Sequence, residues 1–316
     1  MSPGTIVVAL GGNAVAPPGV RPSIANQFRH TRSSLGTIVE LARAGWKIAV
    51  VHGNGPQVGD ELLRNEIAAD QVEPLPLGVL VAATAGWMGY MIQQSLQNAL
   101  AQAGVTRAAV TLVTQTLCDA HDPDLHNATK PIGHPLDLPR LARMRQRREP
   151  VAEERPGRWR RMAPSPHPQG VVEGELVRHL VDAGTIVIAC GGGGPPVYRD
   201  AARGLEGLDA VVDKDRTSAS LARTIGARTL LLLTNVEAVF QDFGTPAQRP
   251  LRRLTVAEAE ALLTGNALGG GSMRPKVEAA ADFVRRGGER AVIAELSQGL
   301  PALSGRTGTT IIAGTA

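Results

Sequence analysis

Apolar residues in this chain come in short unbroken runs rather than in strict alternation. The runs fall at 5–10, 47–51, 108–113, 185–190, 229–234 and 290–295. A strand apolar on both faces is one buried between two layers. Helical spacing fills the intervals. Residues 23–44 open on Ser23 as an N-cap, place Phe28, Leu35, Ile38, Val39 and Leu41 at near-helical spacing, and end at Gly45. A second helix is predicted over 79–103, stopping at Gly104. Further amphipathic segments lie at 177–181, 218–225, 256–263 and 277–284, the last closed by Gly287 and Gly288. Strands alternating with helices predict an α/β fold around a mostly parallel sheet covered on both faces.

Three of the runs end in glycine: residues 6–14 (IVVALGGNA), 47–59 (KIAVVHGNGPQVG) and 185–197 (TIVIACGGGGPPV). Without a Cβ, the main-chain N–H groups of such turns approach an anion closely. Taken singly, each is equally an ordinary tight strand-to-helix turn. They meet at one site only if their strands are parallel neighbours, because ligands of open α/β sheets bind beyond the carboxyl ends of the strands. Two common alternatives are excluded. The chain has no G-x-x-x-x-G-K-[ST], and its segment 53–59 (GNGPQVG) is one residue too long for G-x-G-x-x-G.

With 316 residues, 43% of them hydrophobic, the chain has material for one large domain or two lobes. Its two cysteines, Cys118 and Cys190, form neither a disulfide framework nor a zinc set and read as reduced, buried thiols. No apolar stretch is long enough to span a bilayer and no secretory leader is visible, so a soluble, cytoplasmic protein without a membrane partner is expected. The net charge of +4 is unevenly placed, with Arg140, Arg143, Arg145, Arg147, Arg148, Arg155, Arg158, Arg160 and Arg161 in one segment. Glu149, Glu153 and Glu154 interrupt that cluster and no aromatic platform accompanies it. Nucleic acid is therefore not the predicted partner, and a mobile, solvated flap near an anionic substrate is. The surrounding region, 121–169, is rich in proline and reads as an insertion standing off the sheet. It divides the chain into a substrate half, 1–184, and a second half, 185–316.

Against so many arginines there are only four lysines, Lys47, Lys130, Lys214 and Lys276. A lysine kept where arginine is the default suggests a need for a compact point charge. Asp213, Lys214 and Asp215 precede a helix predicted to begin near Thr217; the two carboxylates orient ammonium groups, hold a metal, or simply cap the helix. Lys276 falls one residue into a helix predicted from Pro275, beside its positive end, an odd place for a cation unless an anion neutralises it. His121 and His126 flank Asp122 and Asp124 without metal-ligand spacing and read as surface residues. No G-x-S-x-G supports acyl hydrolysis.

Taken together, ALGGNA at 9–14, HGNGPQVG at 52–59, KPIG at 130–133, RRMAPSPHP at 160–168, GGGGPPV at 191–197, VVDKD at 211–215, FGTP at 243–246 and GSMRPKVEAA at 271–280 resemble the carbamate kinases of the amino acid kinase superfamily, over nearly the whole chain. The resemblance implies an open αβα sandwich with a protruding subdomain at 121–169, assembled as a homodimer. It also implies reversible phosphoryl transfer between MgATP and carbamate, serving mainly to make ATP from ADP and carbamoyl phosphate in the catabolism of arginine or related nitrogen compounds. By position, Gly11, Gly12, Asn13, Gly53, Asn54 and Gly55 would cradle the phosphoryl group and carbamate through backbone N–H groups. Lys214 and Lys276 would neutralise phosphate oxygens, Asp215 would hold both lysines, and Asp213 would support them. Lys130 would replace a first-strand lysine usual in the superfamily, where this chain has Ala9. Residues 232–244, with Phe240, Met273 and Val277, would meet the nucleotide. Mg²⁺ would arrive with ATP or ADP, with no metal-ligating residue assigned. Phe240 and Asn235 depart from the family's usual tyrosine and aspartate, which puts adenine contacts in question more than the chemistry.

Overall fold

The computed structural model describes all residues except 1–2, 18, 21, 266–267, 269–271 and 315–316. The chain runs through β1 (Thr5–Leu10), α1 (Ile24–Ser34), α2 (Gly36–Arg43), β2 (Lys47–His52), α3 (Gly55–Ala68), α4 (Leu77–Gln102), β3 (Ala109–Thr111) and β4 (Thr116–Cys118). Next come β5 (Ala128–Ile132), α5 (Leu138–Gln146), β6 (Val151–Arg155), β7 (Arg158–Pro164), β8 (Pro168–Val171), α6 (Gly174–Asp182) and β9 (Ile186–Ile188). The remainder is β10 (Pro196–Asp200), β11 (Gly204–Gly207), α7 (Lys214–Thr224), β12 (Thr229–Thr234), β13 (Val239–Gln241), β14 (Arg249–Leu251), β15 (Arg253–Thr255), α8 (Val256–Thr264), α9 (Met273–Arg285), β16 (Arg290–Glu295), α10 (Gly299–Leu303) and β17 (Thr309–Ile312).

Eight strands form one sheet in the order β15-β17-β16-β12-β1-β2-β9-β3, parallel except between β16 and β17. Alternate residues of β1 show why its sequence is apolar throughout. Ile6, Val8 and Leu10 pack with Ile38 and Leu41 of α2 and Ile92 and Leu96 of α4. Val7 and Ala9 point the other way, toward Val177 of α6, Leu221 of α7 and Phe283 of α9. Both faces are buried, as the unbroken runs required. The sheet crosses the division at residues 184–185: β9, the first strand of the second half, lies between β2 and β3 of the first.

Three helix boundaries differ from the sequence reading. The predicted helix 23–44 is broken at Leu35, which ends α1 and begins α2. Leu35 is wholly buried, so the apolar pattern continues across the break and hides it. α7 begins at Lys214 rather than near Thr217, because Asp213 caps it through the N–H groups of Asp215 and Arg216. α9 begins at Met273, with Pro275 tolerated in the first turn, where its missing N–H costs no intrahelical bond.

The arginine-rich insertion is a folded piece rather than a loose flap: a three-stranded antiparallel sheet in the order β5-β7-β6, with α5 alongside. Two of the three glutamates that interrupt the arginine run are its partners, while Glu153 accepts from Gly157 N–H. Glu154 takes Arg158 at 2.9 Å and Arg160 at 3.6 Å, and Glu149 takes Arg161 at 3.0 Å. Arg145 stacks over Trp159, 4.3 Å from the ring centre. The insertion docks on α3 where Gly133 N–H donates to Gly55 O at 2.8 Å, and a Cβ on Gly59 would fall 2.0 Å from Gly133 Cα. A second small sheet, β11-β10-β4-β8, lies beside it. Cys118 and Cys190 are free and buried. Among the described residues, no helix is long and apolar enough to cross a membrane.

Candidate active site

The three glycine turns follow β1, β2 and β9, which are consecutive parallel neighbours, so their carboxyl ends open on one edge of the sheet. Two adjoining cavities lie there. The wider, about 560 Å³, is lined by Gly12, Gly53, Asn54, Gly55, Lys130 and Asp213, with Arg160, Ser165, Arg216 and Arg274. The narrower, about 130 Å³, is lined by Gly11, Gly12, Lys214, Asn235, Ser272 and Lys276. Gly12, Lys214 and Ser272 belong to both and mark the junction. A further cavity of about 580 Å³ between α7 and α9 lies apart from the glycine turns. There Arg216, Arg223 and Arg285 are already paired with Glu278, Asp282 and Glu260.

Several chain ends are open toward the junction. α3 has Asn54 at its N-cap, a residue that favours capping, yet the side chain makes no cap bond. Its Nδ2 donates instead to Thr84 Oγ1 on α4 at 2.8 Å, and the Thr84 hydroxyl lies 2.9 Å from both Leu80 O and Val81 O of its own helix. Gly192, at φ +68°, closes over Asn54: a Cβ there would fall 2.1 Å from Nδ2. Among the described residues, the first-turn N–H groups of α3 therefore have no side-chain partner. The turn Gly12–Ala14, which contains Asn13, and the start of α9 at Ser272 likewise have no side-chain cap from their N-cap residues, Gly11 and Ser272. Uncapped N-termini present donors and a positive dipole end, the elements of an anion site.

Gly53 is a correction. Its N–H donates to Leu10 O at 3.1 Å and is not free for a phosphate. What the missing Cβ supplies is room, since a Cβ would lie 3.0 Å from Lys214 Cδ. The third turn behaves similarly. Gly193 O accepts from Thr116 Oγ1 at 2.6 Å and from Thr217 Oγ1 at 3.0 Å, bracing α7 against β4. His52, wholly buried at the end of β2, has Nδ1 3.2 Å from Gly53 O, and burial pushes its pKa down to about 4. The ring is neutral at pH 7, so Nδ1 carries the donated proton to that carbonyl.

The three lysines of interest form one chain with two aspartates. Lys130, reaching in from β5, contacts Asp213; Lys214 Nζ lies 2.8 Å from Asp215 Oδ1; and Lys276 Nζ lies 3.2 Å from Asp215 Oδ2. Burial alone would raise the pKa of Asp213, but Lys130 and then Lys214 hold it far below the usual carboxylate range. Burial likewise opposes ionisation of Asp215, and Lys214 and Lys276 override it. The two lysines on Asp215 move in opposite directions. Burial would lower Lys214, but Asp215 and Asp213 raise it; burial lowers Lys276, and the like charge of Lys214 adds to that against the pull of Asp215. The trio carries three positive charges against two negative ones, and further cations stand around the wider cavity. Such a site neutralises anions at its junction.

Of the remaining sequence candidates, Met273 is partly buried against the core and Phe240 packs against Phe243 with ring centres 6.0 Å apart. Val277 is wholly buried in the core and offers the cavities no surface. Gly269, Gly270 and Gly271 lie outside the described residues. Arg274, Ser165, Ser272, Thr84 and His52 were given no role from sequence. Ser165 and His52 sit inside the motifs that carried the resemblance, whereas nothing in the pattern marks Thr84.

Asp122, Asp124 and His167 are the titratable cluster with atoms close enough to share a metal ion among the described residues. Asp122 is already bonded to the N–H groups of His167 and Asp124, at 2.7 and 2.9 Å. His121 and His126 are exposed and take no part.

The amino acid kinase family model matches residues 4–295. A carbamate kinase of Pyrococcus horikoshii is 39% identical over 312 residues, covering 98% of this chain and 99% of that protein. Carbamate kinase from Giardia lamblia bound to citric acid superposes with a TM-score of 0.93 at 34% identity, covering 99% of this chain and all of the other. The same Giardia enzyme bound to AMP-PNP superposes with a TM-score of 0.89 at 35% identity over 99% and 100%. The chain is thus a kinase and belongs to the amino acid kinase family, in its carbamate kinase branch.

Proposed function

We propose that this protein transfers a phosphoryl group reversibly between ATP and carbamate, with ADP and carbamoyl phosphate on the other side of the reaction. One observation carries the reading: two cavities of different size share Gly12 and Lys214, so two anionic ligands can meet at one cation. The narrower cavity, with Lys276, Asn235 and Ser272, suits the nucleotide's phosphate tail, in keeping with the AMP-PNP bound by the Giardia relative. The wider one, with Lys130, Asn54 and Gly55, suits the acyl phosphate. Charge in flight spreads over the phosphoryl oxygens, and Lys130, Lys214, Lys276 and the open helix ends are fixed donors to it. No general base is needed, because carbamate is already an anion.

Mg²⁺ would neutralise phosphate charge when bound. Asp213 and Asp215 are committed to lysines and backbone amides, so no spare carboxylate stands at the junction among the described residues and the ion is assigned to the nucleotide's own phosphates. The physiological direction is assigned to ATP synthesis, in breakdown of arginine or related nitrogen compounds. The dimer implied by the family is assigned to the face where exposed Ile24 and Tyr90 line one groove; a monomeric mass by light scattering would remove it.

The test of the reaction is ATP formation from ADP and Mg²⁺ with carbamoyl phosphate, compared with acetyl phosphate. Strong preference for carbamoyl phosphate is the expected result. Equal rates would make this a general acyl phosphate kinase instead.

A further inference from the structure

We infer that the hydroxyl of Ser165 accepts a hydrogen bond from the carbamoyl amino group and so sets the preference for carbamoyl over other acyl phosphates, an inference that rests on the reaction proposed above. Ser165 is 4% exposed, and its Oγ is fully buried without a hydrogen-bond partner. It lines the wider cavity together with Lys130, Asp213 and Asn54. Buried polar atoms are rarely left unpaired, so an orphaned hydroxyl on a residue that lines a binding cavity marks a place where a ligand group fits.

The backbone holds that hydroxyl in register with the cations. Ser165 follows directly on β7, where Ala163 lies opposite Lys130 of β5. The neighbouring Pro164 O accepts from Val211 N–H at 3.0 Å, two residues before Asp213. Segments that carry Lys130 and Asp213 therefore hold the two residues just before Ser165.

The chemistry of the surrounding wall narrows the role. Lys130, Lys214, Arg160, Arg216, Arg274 and the open end of α3 are all donors, matched to phosphate and carbonyl oxygens. A carbamoyl group also has an NH₂, which needs an acceptor. The carboxylates in the wall are already engaged: Asp213 with Lys130 and two amides, Glu154 with Arg158 and Arg160, and Asp124 with His167 at 3.6 Å. Ser165 Oγ is a neutral, buried and unengaged acceptor. An acetyl group presents a methyl at the same place and leaves the hydroxyl unpaired, and a site built around a hydrogen bond discriminates against the ligand that lacks it.

The experiment compares kcat/KM for carbamoyl phosphate and acetyl phosphate in the parent protein, Ser165→Ala and Ser165→Cys, at saturating ADP and Mg²⁺. The ratio between the two donors should fall about 10-fold or more in both variants, the scale of one hydrogen bond. Nucleotide affinity and melting temperature should stay at parental values. The cysteine variant keeps the volume of the side chain and decides the matter if the alanine variant folds poorly. A parent protein without preference for carbamoyl phosphate overturns the proposed reaction and this assignment with it. A parental preference that survives in the variants, or variants slowed equally with both donors, overturns the assignment alone.

Discussion

The starts of α3 and α7 stand on the same edge of the sheet, each with a favoured capping residue, and they use it in opposite ways. Asp213 turns back onto its own helix, closing the end of α7 and leaving its other oxygen to grip Lys130. Asn54 turns away, held by Thr84 and roofed by Gly192, so the end of α3 stays open. The lesson is that capping is a choice fixed by the neighbours. A closed end with a carboxylate organises cations, whereas an open end receives an anion. A good capping residue in the sequence does not say which of the two it will be.

The contrast breaks most severely at Lys214, the cation between the two ends. Lys214→Ala should lower turnover by about 10²–10³-fold, the scale of one lost donor to transition-state charge. A folded variant within about threefold of the parent would exclude Lys214 from the chemistry.

Acid separates the two ends by pH. Between pH 6.5 and about 4 the unfolded chain protonates His52 and the folded chain does not, so stability falls as pH falls through that window. The full shift corresponds to about 3 kcal/mol. Asp213 and Asp215 have folded pKa values below the ordinary 3.8, so their contribution is intact above that pH and is lost only below it. Urea unfolding at pH 7 and pH 5 should show the loss in the parent but not in His52→Gln. An identical loss in both proteins would place the acid-sensitive group elsewhere.

A finer cut concerns Asp213 itself. Asn can keep the cap of α7 without the charge on Lys130, and Ala keeps neither. Asp213→Ala should therefore be less stable than Asp213→Asn by about 1 kcal/mol, the usual worth of a cap. Equal unfolding midpoints would mean that the cap contributes nothing measurable.

The smallest effect is expected at Thr84. With Thr84→Val, Asn54 is released to cap α3, and KM for carbamoyl phosphate should rise about 3–10-fold while stability changes by no more than about 1 kcal/mol. Thr84→Ser should restore the parental KM. If valine leaves KM unchanged, the open end of α3 is not part of the anion site.

Much of this arrangement was legible in the chain, and for identifiable reasons. Strands β1, β2 and β9 announced themselves because burial on both faces forces continuous apolar sequence. That they are neighbours was only a condition in the sequence, since apolar pattern carries no pairing partner. Lys130, Lys214 and Lys276 stood out by their scarcity among arginines, although 146 residues separate the first from the last. Asp213 was equally readable as a cap or a charge partner, and it is both. The break at Leu35 went unread although Gly36 follows it, because the apolar spacing of Leu35, Ile38, Val39 and Leu41 runs on across the glycine. The roles of Thr84 and Ser165 depend on what lies opposite them in space, which local sequence does not encode.

The order of the sheet also bears on how the protein is made. β1, made before β2 and well before β12, is flanked in the finished fold by β2 on one side and β12 on the other. Until residues 229–234 have been synthesised, the β1 edge that β12 will cover has no native partner. Any nascent or truncated chain ending before that point presents an apolar strand edge to its surroundings, the kind of surface on which chains pair with one another.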